Sequence, residues 1–113
     1  MTIVRSANRG VSFNLLTGES VDETTSPPLA IPNSFHQHKI SITGSAGVSA
    51  GAITIESAPD PLYEGTWSPI TSPIDVDDDT VTEYDFFGIY SAIRARISTT
   101  IADGTVNVDY IGS

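Results

Sequence analysis

The chain has 113 residues, 14 of them acidic and 5 basic, for a net charge of -9, and it holds no cysteine. A length of this order fits one domain, and a chain without thiols has neither a disulfide framework nor a thiolate metal site. Five cations are too few to build the basic face that nucleic-acid binding needs, so direct contact with DNA or RNA is excluded as an expectation. No stretch approaches the roughly 18 apolar residues of a spanning helix, and the start MTIVRSANRG has no secretory apolar run, so a non-membrane protein made in the cytosol is expected.

Isoleucine and valine together number 21 against 4 leucines, serine plus threonine number 27, and lysine occurs once. β-branched residues lose little by being extended and the best helix formers are scarce, so the composition predicts an all-β protein.

Residues 1–34 differ from the rest. They carry Ile3, Val4, Arg5, Arg9, the apolar stretch Val11 to Leu16, and then Glu19, Asp22, Glu23, Pro27, Pro28 and Pro32. Proline donates no N–H and restrains the residue before it, so this segment is expected to be an N-terminal arm outside the sandwich. A loose terminus is one reading; Phe13, Leu15, Leu16, Leu29 and Ile31 are more apolar than a solvated tail requires, and the other reading is an arm seated on a neighbouring subunit. On that reading Ile3, Val4, Arg5, Arg9, Phe13, Leu15 and Leu16 are partner-binding residues, and residues 1–20 can be deleted without unfolding the domain.

Residues 35–113 form the expected sandwich domain, with turn signals every eight to twelve residues. Phe35 to Thr43 alternates, with His36, His38, Ile40 and Ile42 on one face. Gly44 to Gly51 is rich in small residues and leads into Ala52 to Ala58, so these two strands are expected to pair as a hairpin. A loop over residues 59–65 precedes Thr66 to Ile70, a short or edge strand because of Pro69. Val81 to Phe87 alternates up to a break at Gly88. Ile89, Ser91, Ile93, Ala95 and Ile97 then share one face of the strongest expected strand, with Arg94 and Arg96 on the other. After a turn at Ala102 to Gly104, Thr105 to Ile111 closes the chain with Val106, Val108 and Tyr110 facing one way. Seven or eight such strands predict an antiparallel β-sandwich, with a jelly roll ahead of an immunoglobulin-like order.

Several residue groups invite a chemical reading. His36 and His38 stand about 7 Å apart on one strand face, a spacing able to chelate a metal only if a third ligand approaches; the simpler expectation is a sheet margin or subunit contact. Asp75, Asp77, Asp78 and Asp79 supply the hard oxygens that calcium uses, yet an EF-hand register puts Thr80 at the glycine position and Phe86 at the glutamate position, so a solvated acidic turn is expected, with a calcium site in a β-sandwich loop as the alternative. Glu56, Asp60 and Glu64 offer carboxylates but no sign of a cleft, and no nucleophile elbow, phosphate loop or zinc-protease motif occurs. Neither a catalytic residue nor a cofactor or metal is expected. Arg94 and Arg96 are expected to pair with acids inside the fold. Tyr63 and Trp67 flank Gly65 and make a possible glycan platform, against the simpler reading of core or interface filling.

The stretch from Gly51 through Trp67 to Ile70, the segment Phe87-Gly-Ile-Tyr-Ser-Ala-Ile-Arg-Ala-Arg-Ile97 and the terminal Gly104-Thr-Val-Asn-Val108 resemble small β-sandwich structural proteins of tailed bacteriophages. The resemblance covers about residues 51–111 and leaves the N-terminal segment unmatched. It implies a non-enzymatic virion protein of the capsid cement or decoration type, bound as a homotrimer to the major capsid protein on the outside of the shell. Tail or neck placement, or a carbohydrate-binding adhesion module using Tyr63 and Trp67, are the alternatives it leaves open.

Overall fold

The computed structural model describes residues 11–113 of the chain. Nine strands occur in them: β1 Val11–Glu19, β2 Leu29–Ala30, β3 Gln37–Gly44, β4 Ala50–Ala58, β5 Ser68–Pro69, β6 Ile74–Asp75, β7 Val81–Phe87, β8 Ala92–Ala102 and β9 Val106–Gly112. No helix occurs among the described residues, so none there is long and apolar enough to cross a membrane.

All pairings are antiparallel and form two packed sheets. The first has the order β1-β9-β3-β7; the second runs β2-β8-β4-β5, with β6 also on β4. The expected antiparallel β-sandwich is therefore what the chain forms. The expected hairpin of β3 and β4 is not: β3 pairs with β7 and β9, whereas β4 lies in the opposite sheet beside β8. Gly44 to Gly51 is a crossover between sheets. Its small residues serve close approach, since a Cβ on Gly44 would collide with the Asp77 carbonyl oxygen.

The core follows from alternation. Ile40 and Ile42 of β3, Ile53 and Ile55 of β4, Ile93, Ala95 and Ile97 of β8, and Val106, Val108 and Tyr110 of β9 are all buried between the sheets. Arg94 and Arg96 point the other way, as the period-2 reading requires. The long strand starts later than expected, at Ala92, and continues to Ala102. Gly88, at φ 129°, turns the chain out of β7, leaving Ile89 exposed rather than in the core stripe.

The N-terminal segment departs most from expectation. Residues 11–34 are part of the sandwich, not an arm. β1 pairs with β9 from Val11 opposite Gly112 to Glu19 opposite Val106. Irregularities in that register on either side of Leu16 let consecutive Leu15 and Leu16 both reach the core. Beyond β1, the chain runs along the outer edge of β8: Glu23 donates its N–H to the Ile97 carbonyl, Ile97 to Thr24, Ser26 to Ala95, and Ile31 to Ser91. The prolines are tolerated because an edge segment needs hydrogen bonds on one side only. Ile31 completes the core there.

Candidate functional site

Three clusters and an acidic turn hold the chemically interesting side chains. On the outward face of the second sheet, β4 places Glu56 opposite Arg94 of β8. Arg94 donates from Nε to Glu56 Oε1 at 2.9 Å, and Arg96 donates from Nε to Glu56 Oε2 at 2.9 Å. Arg96 also reaches Glu23 Oε2 from Nη1 at 3.2 Å. Its guanidinium pKa is raised above the ordinary value, first by the hydrogen bond to Glu56. Both Glu56 oxygens are thus spent on fold-internal cations, as a cross-strand pairing of Arg94 and Arg96 requires. A carboxylate held this way is a poor proton shuttle, and Asp60 and Glu64 stand on an exposed loop.

Trp67 belongs to the same cluster. It is 5 % exposed, Arg94 Cζ lies 4.4 Å from its ring centroid, and its Nε1–H donates to the Tyr63 carbonyl at 3.2 Å. The indole face is covered by Arg94, so of the possible glycan platform only Tyr63 is presented at the surface. Tyr63 is partly exposed, with its ring folded over Gly65.

The second cluster surrounds His38, which is buried. Its Nε2 lies 2.8 Å from the Gly88 carbonyl oxygen and its Nδ1 2.7 Å from the Tyr110 hydroxyl. A carbonyl can only accept, so Nε2 carries the proton and the neutral ring's Nδ1 accepts from Tyr110. The ring stacks on Phe86 at 4.8 Å and meets Tyr90 edge-on at 5.4 Å. His36 precedes β3 and is exposed, so the two histidines do not share a site, and His38 offers no free nitrogen to a metal.

The acidic turn is knitted into one end of the sandwich. Asp78 Oδ1 accepts from the Gly47 N–H at 2.6 Å, the Asp79 N–H donates to the Ser45 carbonyl, and the Asp103 carboxylate accepts from Ser49. Asp78 and Asp103 therefore tie the β3–β4 crossover to the turns before β7 and β9. No group of three or more metal-ligating side chains is gathered among the described residues.

The third cluster is a surface. The outward side of the first sheet carries Gln37, Lys39, Asp85, Phe87, Ile111 and Ser113 around a shallow depression of about 350 Å³. Phe87 is 70 % exposed and Ile89 60 %, on either side of Gly88. Neither was singled out as a site residue; the signal was the glycine break directly between two large apolar residues. Of the expected partner-binding residues, Leu15 and Leu16 are core residues, Phe13 is partly exposed and stacks on Tyr110 at 6.5 Å, and Ile3, Val4, Arg5 and Arg9 lie outside the described residues.

The described residues form a slab with extents of 41 × 40 × 19 Å. Comparison with family models, with curated proteins and with solved structures finds no match.

Proposed function

We propose that this chain is a non-enzymatic structural protein of a tailed-phage virion, added to the assembled capsid shell as a cement or decoration subunit. The observation that carries this reading is the use of its polar chemistry: Glu56, Arg94, Arg96, His38 and Asp78 each hydrogen-bond to another group of the fold, while large apolar side chains such as Phe87 and Ile89 face outward. Such a flat slab with outward apolar side chains is suited to adhesion. The sequence resemblance over residues 51–111 supplies the virion context.

The mechanism on this reading is linkage. Copies bridging neighbouring major capsid subunits bind only the assembled shell, so opening the shell must also break those contacts. Repetition over a symmetric surface multiplies modest affinities, so a roughly 1,600 Å² contact per copy is ample. The negative charge keeps the subunit away from packaged DNA. The test is co-sedimentation with undecorated capsids. Saturable pelleting supports the reading, and a protein that stays in the supernatant at every capsid concentration overturns it.

A further inference from the structure

Arg94 and Arg96 hold more hydrogen-bonding capacity than the fold uses. Each donates its Nε–H to Glu56 at 2.9 Å, and Arg96 adds one bond from Nη1 to Glu23 at 3.2 Å. Both η nitrogens of Arg94 and Nη2 of Arg96 have no hydrogen-bond partner among the described residues. The two side chains keep about a quarter of their surface exposed, on the outward face of the second sheet. Arg94 is also fixed in place, with its Cζ 4.4 Å from the Trp67 ring centroid and its Nε on Glu56, so its donors are oriented before any ligand arrives.

Charge points the same way. Of the three cations among the described residues, two are here, while Lys39 lies against Glu83 and opposite Asp85. The arginines carry two positive charges, of which the buried Glu56 answers one. Glu23 answers the other, from a side chain that is 72 % exposed. Its N–H donates to the Ile97 carbonyl at 2.8 Å, which keeps it beside β8, but water screens its carboxylate. Glu23 is therefore the member of the network that a competing carboxylate can displace. Residues 1–10 contain no acid and supply no such competitor.

We propose that Arg94 and Arg96 form a binding site for an external carboxylate, with Glu23 as its displaceable internal stand-in. Because the two Nε atoms bond the two oxygens of one Glu56 carboxylate, the guanidinium groups are drawn together and one ligand carboxylate reaches both. It accepts two bonds from the η nitrogens of Arg94, in the fork geometry that guanidinium and carboxylate share, and takes over Arg96 from Glu23. The ligand is a small organic acid or an acidic side chain of another protein, and the chemistry of recognition is the same. The inference does not depend on shell binding.

NMR of the arginine Nε–H groups in the full chain, titrated with sodium acetate at constant ionic strength, tests it. Acetate should shift Arg94 and Arg96 saturably, and acetamide, its neutral counterpart, should not. Glu23→Gln should bind acetate about threefold more tightly, because the internal competitor is gone. Arg94→Lys, which keeps a charge beside Glu56 but loses the fork, should bind about fivefold more weakly. A blocked tripeptide with a central glutamate separates the sources: tighter binding than acetate assigns the site to a protein side chain, and equal or weaker binding assigns it to a small acid. Glu23 is exposed, so Glu23→Gln keeps the fold, and circular dichroism checks both variants. Guanidinium signals that do not move up to about 100 mM acetate overturn the proposal. So does an acetate affinity that Glu23→Gln fails to raise, or one that a folded Arg94→Lys variant retains in full.

Discussion

Glu56 and Arg94 face each other across β4 and β8 and meet at 2.9 Å, with the same carboxylate closing a second bond of 2.9 Å to Arg96. The acid is nearly buried while the two arginines keep about a quarter of their side-chain surface, so solvent screens the pair only in part. Removing the acid leaves two guanidinium groups without their partner on a covered face. Glu56→Ala is expected to destabilise by about 2 kcal/mol, a fall of roughly 8 °C in Tm. Glu23→Ala removes only the exposed end of the same network and is expected to change stability by less than about 0.5 kcal/mol. Thermal unfolding of the two variants side by side checks the contrast.

His38 is held by two groups with different demands. The Gly88 carbonyl requires a donor and the Tyr110 hydroxyl satisfies the other nitrogen, which fixes the Nε2–H tautomer. Nitrogen-15 NMR should show that tautomer for His38 at pH 8. His38→Phe keeps the aromatic stack on Phe86 and loses both hydrogen bonds, at an expected cost of about 2 kcal/mol. His36→Phe, at an exposed position, should leave the midpoint within about 0.5 kcal/mol of wild type.

Period-2 alternation made β3, β7 and β9 legible in the sequence, because one side of each strand meets the core and the other does not. It failed where the cause is tertiary. In β4 the outward residues Ala52, Thr54 and Glu56 are buried as well, under the cluster on that face, so alternation there does not separate core from solvent. The partner of each strand was illegible too, since local turn chemistry between β3 and β4 is equally compatible with a hairpin and with a crossover. The N-terminal segment was misjudged because prolines argue against a central strand but not against an edge. Glu56, Arg94 and Arg96 were each noticed, but their convergence depends on the β4–β8 register, which no spacing within one strand encodes.

Leu16 tests the integration of that segment. It is 4 % exposed and sits opposite Val108 in the β1–β9 ladder. Leu16→Ala is expected to cost about 3 kcal/mol through lost burial and the cavity left behind. Deleting residues 1–20 removes β1 altogether and uncovers one side of β9, so the truncated chain should lose the cooperative unfolding transition that the full chain shows by denaturant titration.

Trp67 gives an optical readout of the cluster above β4. A buried indole under Arg94 should emit at short wavelength and resist acrylamide quenching. Trp67→Ala is expected to destabilise by about 3 kcal/mol, since it removes the ring on which Arg94 lies and opens a cavity beside Glu56. Trp67→Phe, which keeps a face for the guanidinium, should cost less than half of that by urea titration.

Tyr110 sets the alkaline limit. Its side chain is fully buried, and that burial pushes the hydroxyl pKa up from 10.0 to about 12. The unfolded chain therefore releases this proton at lower pH than the folded one. The stability that depends on the neutral hydroxyl is complete below about pH 10 and is lost as pH rises toward 12, by on the order of 2 kcal/mol. The loss is reinforced by geometry, because a phenolate has no proton to donate to His38 Nδ1. Denaturant midpoints measured from pH 8 to 12 should fall steeply above pH 10 in the wild type. In Tyr110→Phe the starting stability should be lower, through the missing hydrogen bond, and the fall above pH 10 shallower, because the buried group that titrates is gone.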